Sequence, residues 1–207
     1  MDYKKEWEKI VNTHDFRNAL VDHFSYLAES EESKQLLREW MDQVKEVTIW
    51  DKDLNLKFSD GKHFAASPPA TKLSKYKNWP ESYQKLLIRH EFLREYGSNF
   101  CLGGTDIFDP EDWDWSSIRE ELIEECGTDL EGWSQIKNGR KILSPIVMYG
   151  NVWLYHPVKK NSNNEPCLYF FSHELCDWPE NPVDLSVGTL ALQLLTGKRS
   201  GDNGNLY

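Results

Sequence analysis

The residues best suited to chemistry sit near the C-terminal end. His173, Glu174, Cys176 and Asp177 fall within one five-residue stretch. Imidazole, thiolate and carboxylate are all zinc ligands, so a metal-dependent enzyme using His173, Glu174 and Cys176 is one reading. The spacing argues against it. There is no H-E-x-x-H, and Cys176 has no C-x-x-C partner. The plainer reading is a strand end whose polar residues meet solvent. His90-Glu91 falls in a predicted helix among charged neighbours and reads as a surface face. His156-Pro157 closes a predicted strand and reads as turn chemistry. Cys101 lies beside Gly103-Gly104, but a reactive thiol needs a nearby base or positive field, and the acids that follow would raise its pKa. No G-x-G-x-x-G, P-loop or G-x-S-x-G is present. The expectation is a protein with no catalytic residue and no cofactor.

A second group of residues suits binding. Between Leu102 and Gly132 there are eleven acids and a single base, Arg119, so this segment carries −10. The whole chain is also −10, so the remainder balances to zero. Such a field repels phosphate backbones and argues against direct nucleic-acid binding, while it attracts a basic partner. The candidate partner-binding residues are Asp109, Glu111, Asp112, Trp113, Asp114, Trp115, Glu120, Glu121, Glu124 and Glu125. The stretch 109–115 lacks the alternating carboxylates, central Gly and terminal Glu of an EF-hand loop. Trp113 and Trp115 suit a partner anchor or a core equally well; the bland reading of the acids is a solvated face.

The elements that must position these residues follow from periodicity. A length of 207 residues suits one large domain with a well-buried core. Nine Trp, nine Tyr and nine Phe supply much of the apolar area. Residues 1–45 read as helical. Asp15 is placed to cap a helix carrying Phe16, Leu20, Phe24 and Leu27, and Leu36, Leu37, Trp40, Met41 and Val44 mark another. The period then changes. Val47–Trp50 is rich in β-formers, Leu54, Leu56 and Phe58 alternate with polar residues, Asp60-Gly61 is a turn, and 62–64 return. Pro80 opens a predicted helix running to Tyr96, with Gly97 ending it. A hairpin is expected around Gly103-Gly104, and a capped helix begins at Ser117 within the acidic segment. Strands are expected over 142–149, 152–155 and 166–171, with a polar turn over 161–164. A closing helix over 185–195 has Val187, Leu190, Ala191, Leu194 and Leu195 inward. The result is an α+β fold, a single domain over 1–197 with helices at both ends, an acidic insertion over 102–132 and a disordered tail over 198–207.

Four cysteines without a C-x-x-C pair read as free thiols. No leader-like segment and no run of roughly 18 apolar residues is present. A cytoplasmic protein with no membrane association is expected, its oligomeric state open.

From Trp79 onward the order of segments resembles the SUKH superfamily, which includes bacterial immunity proteins and relatives of yeast regulators of cell-wall glucan synthesis. The matching pieces are Trp79–Leu87 (a proline-led helix start), Ile146–Tyr155 (the central hairpin), Pro166–Glu174 (the following strand with its His-Glu pair) and Ser186–Leu195 (the closing serine-led helix). The acidic segment is an insertion relative to a minimal member, and the helices before residue 46 exceed the core pattern. The resemblance implies a twisted, mainly antiparallel sheet. It also implies a binding role, typically neutralising a bacterial protein toxin, of which many are nucleases with basic surfaces. The expected function is therefore steric and electrostatic occlusion of a basic toxin domain. A regulatory scaffold of the same fold and the metal-dependent enzyme are the alternatives.

Overall fold

The computed structural model describes residues 2–72, 79–104, 143–149, 151–171 and 183–198. Their α+β architecture is one antiparallel sheet with helices packed on it, as the sequence predicts. Three α-helices come first: α1 (Tyr3–Asn12), α2 (Phe16–His23) and, after a 3₁₀ turn over Ser25–Leu27, α3 (Glu31–Asp42). Strands β1 (Val44–Trp50), β2 (Asp53–Phe58) and β3 (His63–Ala66) follow, then α4 (Glu81–Arg89), β4 (Phe92–Tyr96) and β5 (Cys101–Gly103). Strands β6 (Ile146–Met148), β7 (Asn151–Lys160) and β8 (Pro166–Phe171) lead to α5 (Val187–Thr196). The eight strands are ordered β1 to β8 across the sheet, each antiparallel to its neighbour in sequence.

Local chemistry explains most boundaries. Ser30 and Ser33 cap α3 reciprocally: the Ser30 hydroxyl accepts from the Ser33 N–H at 3.1 Å, and the Ser30 N–H donates to the Ser33 hydroxyl at 2.8 Å. Ser186 accepts from the Thr189 N–H and starts α5, and Gly197 ends it at φ 64°. The β2–β3 turn forms where Asp60-Gly61 predicts it, with Asp60 accepting from the Lys62 N–H.

Three expectations are corrected. The helix from Pro80 stops at Arg89, and residues 92–96 form β4. That strand pairs with both β3 and β5, and it buries Leu93 and Glu95 while Arg94 and Tyr96 are less covered. Two-sided pairing outweighs the helix propensity of Leu, Arg and Glu. The β4–β5 hairpin therefore turns at Gly97–Phe100, not at Gly103-Gly104. Gly97 takes φ 122° there, and Gly103 lies within β5 against the backbone of Glu91. Finally, α2 ends at His23 and hands Leu27 to the 3₁₀ turn, and the Asp15 carboxylate accepts from the Asn18 side chain rather than capping a backbone N–H.

One contiguous core runs from Trp7 to Leu195. Trp40 meets Phe64 edge-on at 4.9 Å and stacks on Phe58 at 5.5 Å, joining α3 to the sheet. Trp153 and Tyr155 are core residues, not presented ones. In α5 every residue from Val187 to Leu195 is buried, so the helix is central rather than one-faced. It is packed by α3, α4 and the 3₁₀ turn. Gly188 makes the last contact possible, because a Cβ there would lie 2.6 Å from the Leu27 carbonyl oxygen and 2.9 Å from its Cα. Gly188→Ala is expected to destabilise the fold by about 1–3 kcal/mol or more, as overpacking against backbone does. Denaturant unfolding of the variant measures it; an unchanged midpoint would contradict this packing.

Candidate functional site

The acidic residues from Asp109 to Glu125, and His173, Glu174 and Cys176, lie outside the described residues, as do the Ser117 capping box, residues 199–207 of the predicted tail and all but Leu102–Gly104 of the acidic insertion. A second acidic feature lies within the described residues. A groove of about 890 Å³ opens between the start of α3, the start of α4, the β7–β8 turn and the start of α5. Glu29, Glu32, Glu81, Glu165 and Asp184 line it, against one cation, Lys85.

Each wall is built by short-range chemistry. Asn161 organises the β7–β8 turn: its Oδ1 accepts from the backbone N–H groups of Asn163 and Glu165, each at 3.0 Å, and its Nδ2 donates to the Leu185 carbonyl. This is the polar turn expected over 161–164. It delivers Glu165 to the first turn of α4, where the Ser82 N–H donates to Oε1 at 2.8 Å and the Ser82 hydroxyl to Oε2 at 2.6 Å. A carboxylate is favoured at that helix end. Asp184 accepts from the Ser162 N–H at 2.7 Å, and Asn163 donates to Glu29 across the groove at 3.3 Å. Lys85 is paired with Glu81 at 3.2 Å. Glu29, Glu32, Glu81 and Asp184 are exposed. Such a groove suits the ammonium and guanidinium groups of a basic partner.

A different cluster joins the N-terminal helices to the sheet. His23 Nδ1 lies 2.8 Å from Glu6 Oε1, and His23 Nε2 lies 3.1 Å from His90 Nε2. His90 Nδ1 is 2.5 Å from the Ser67 carbonyl oxygen. Arg89 donates to both Glu6 oxygens at 3.2 and 3.3 Å. Trp7 and Phe24 stack on His90. Burial pushes the His90 imidazole down to about 3, with the neighbouring His23 adding to the effect. Burial also lowers His23, opposed by the hydrogen bond and charge of Glu6.

The expectation of a surface-facing His90 is thus overturned: the residue follows the last turn of α4 and is fully buried. A signal for this was present. Tyr83, Leu86, Leu87 and His90 share one face at helical spacing, as do Leu20, His23 and Leu27. His156 is likewise not a strand end, because β7 continues to Lys160 past a register shift. Its ring accepts from the Lys159 N–H at 2.6 Å. Burial pushes the Cys101 thiol up to about 12, which disfavours the reactive thiolate.

Trp50 was absent from the sequence-based candidates for a partner anchor. It ends β1 and is 70 % exposed, beside Asp51 and Asp53. Burial, then the charge of Asp51, raises the Asp53 carboxyl to about 6. Among the described residues no group of three or more His, Cys, Asp or Glu is placed to hold a metal ion, and no helix is long and apolar enough to cross a membrane. No protein-family model, curated protein or solved structure matches the chain.

Proposed function

We propose that the chain is a non-catalytic binding protein that captures a basic protein domain and blocks it by occlusion, in the manner of an immunity protein against a bacterial toxin. The observation that carries this reading is the carboxylate groove between α3, α4 and the β7–β8 turn, where five acids face one lysine. The acidic segment over 102–132 adds −10 from a separate part of the chain. Carboxylates on this scale speed encounter with a cationic surface and disfavour acidic competitors. Trp113 and Trp115 serve in this reading as anchors within the acidic segment. No bond is made or broken; inhibition is coverage of the partner's working surface. The SUKH resemblance supports the same role, and the positive surfaces of nucleases make them apt targets.

The test is a pull-down with the full chain at low and at high salt. A single basic protein recovered at low salt and depleted at high salt is the expected result, since screening shortens the reach of surface charge. Recovery of no basic protein at either salt would overturn the reading.

A further inference from the structure

The contacts around His23 and His90 pose a problem of proton number. Three close contacts run in series: Ser67 carbonyl to His90 Nδ1 at 2.5 Å, His90 Nε2 to His23 Nε2 at 3.1 Å, and His23 Nδ1 to Glu6 Oε1 at 2.8 Å. Each needs one hydrogen. The first end of the chain is a backbone carbonyl, which only accepts, and the other is a carboxylate, which also accepts when ionised. Two neutral imidazoles bring one N–H each. They satisfy two contacts and leave the third with lone pairs facing one another.

We infer that the Glu6–His23–His90–Ser67 chain holds one proton more than two neutral imidazoles carry, so that attachment of the N-terminal helices to the sheet is linked to uptake of a single proton. With that proton on the Glu6–His23 pair, the order is complete. His90 donates to Ser67, His23 donates through Nε2 to His90, and the Glu6–His23 contact is a charge-assisted hydrogen bond. A second proton has no place, because it would turn His90 Nε2 into a donor aimed at another donor.

Two acids and two bases surround the cluster. From α1, Glu6 and Lys9 face the cluster, and from α2 Asp22 lines the same 330 Å³ cavity. Arg89 lies at the end of α4 and binds Glu6. The Tyr26 ring, from the 3₁₀ turn, lies 5.9 Å from His90. Taken singly, His23 is lowered: burial and the Arg89 charge outweigh the Glu6 hydrogen bond and charge. The hydrogen count along the three contacts, in which both rings act together, weighs the other way. The acceptor at each end decides, since removing the proton leaves an unmade hydrogen bond inside the fold.

The sign of the linkage follows. A proton held more tightly when folded stabilises the protein fully below the unfolded imidazole value, 6.5. That contribution is lost as the pH rises through the folded value. Glu6→Gln separates the proton from the contacts. The amide can donate to His23 Nδ1 and still accept from Arg89, so all three contacts close with two neutral rings. In the wild type, the ratio of folded to unfolded chain is expected to fall up to tenfold per pH unit above pH 6.5. In Glu6→Gln this one-proton slope is expected to vanish. Ring-nitrogen NMR of the wild-type chain at pH 6.5 is expected to show His23 doubly protonated and His90 neutral, losing one proton together as the pH rises. Equal slopes for the two proteins, or two neutral rings at pH 6.5, would overturn the inference. The NMR result decides it even if Glu6→Gln fails to fold.

Discussion

Acidification from pH 6.5 toward pH 4 is expected to cost the folded chain on the order of several kcal/mol, with His90 as the chief cause. The His90 ring titrates near 6.5 when unfolded and near 3 when folded. Between those values the unfolded chain binds a proton that the folded chain refuses. The contribution is therefore intact above pH 6.5 and lost as the pH falls toward 3, at about 1.4 kcal/mol per pH unit. His156, pushed down to about 4 by burial and Lys159, adds in the same direction over a narrower window. Asp53 works oppositely: its carboxyl is raised from 3.8 to about 6, so the folded chain gains relative stability as the pH falls through that range. Denaturation midpoints across this pH range measure the sum. His90→Gln keeps an acceptor for His23 and a donor for Ser67 while removing the titration, so its acid slope should be shallower by about one proton. An unchanged slope would rule His90 out as the cause.

The second large effect concerns the partner. Replacing Glu120, Glu121, Glu124 and Glu125 together by Gln removes four of the eleven acids in the segment over 102–132. The association rate with a basic partner should fall by about tenfold or more at low ionic strength. The wild-type rate should approach the variant's near 1 M salt, where screening reaches within about 3 Å. Dissociation should change less, because steering acts on encounter. Equal on-rates for the two proteins at low salt would remove this segment from the recognition mechanism. The same experiment on Glu29→Gln with Glu32→Gln reports the groove's share.

The parts of the fold that were legible in the sequence are those whose boundaries local chemistry sets. Leu54, Leu56 and Phe58 alternate into a strand that does bury all three. Asp60-Gly61 makes the turn, and Ser186 and Gly197 bracket α5. The segment over 90–96 was illegible for a physical reason. Its residues favour a helix in isolation, and pairing on both edges, with β5 next in the chain and with β3 across the intervening α4, draws it into the sheet. The groove was hidden similarly. Its carboxylates come from positions 29, 32, 81, 165 and 184, which no local pattern connects. The helix opened by Pro80, the closing helix over 185–195 and the polar turn over 161–164 are each predicted as local elements, but not their convergence. His90 reads as a surface residue from its charged neighbours, and its juxtaposition with His23 depends on two segments 67 residues apart.

The join between β5 and β6 has a bearing on how such a protein changes over generations. Cys101 pairs with Val147 and Leu102 with Ile146, and the Gly103 N–H donates to the Pro145 carbonyl at 3.0 Å. Gly103 and Pro145 are thus tied directly together, and all eleven acids of the segment over 102–132 lie between them in sequence. Loop closure there is set by the strand pair, and its entropy grows only slowly with the length enclosed. An insertion between those two points therefore adds little to the cost of closing the β5–β6 pair. Length there can drift over generations while the pairing of Cys101 with Val147 and Leu102 with Ile146 is kept.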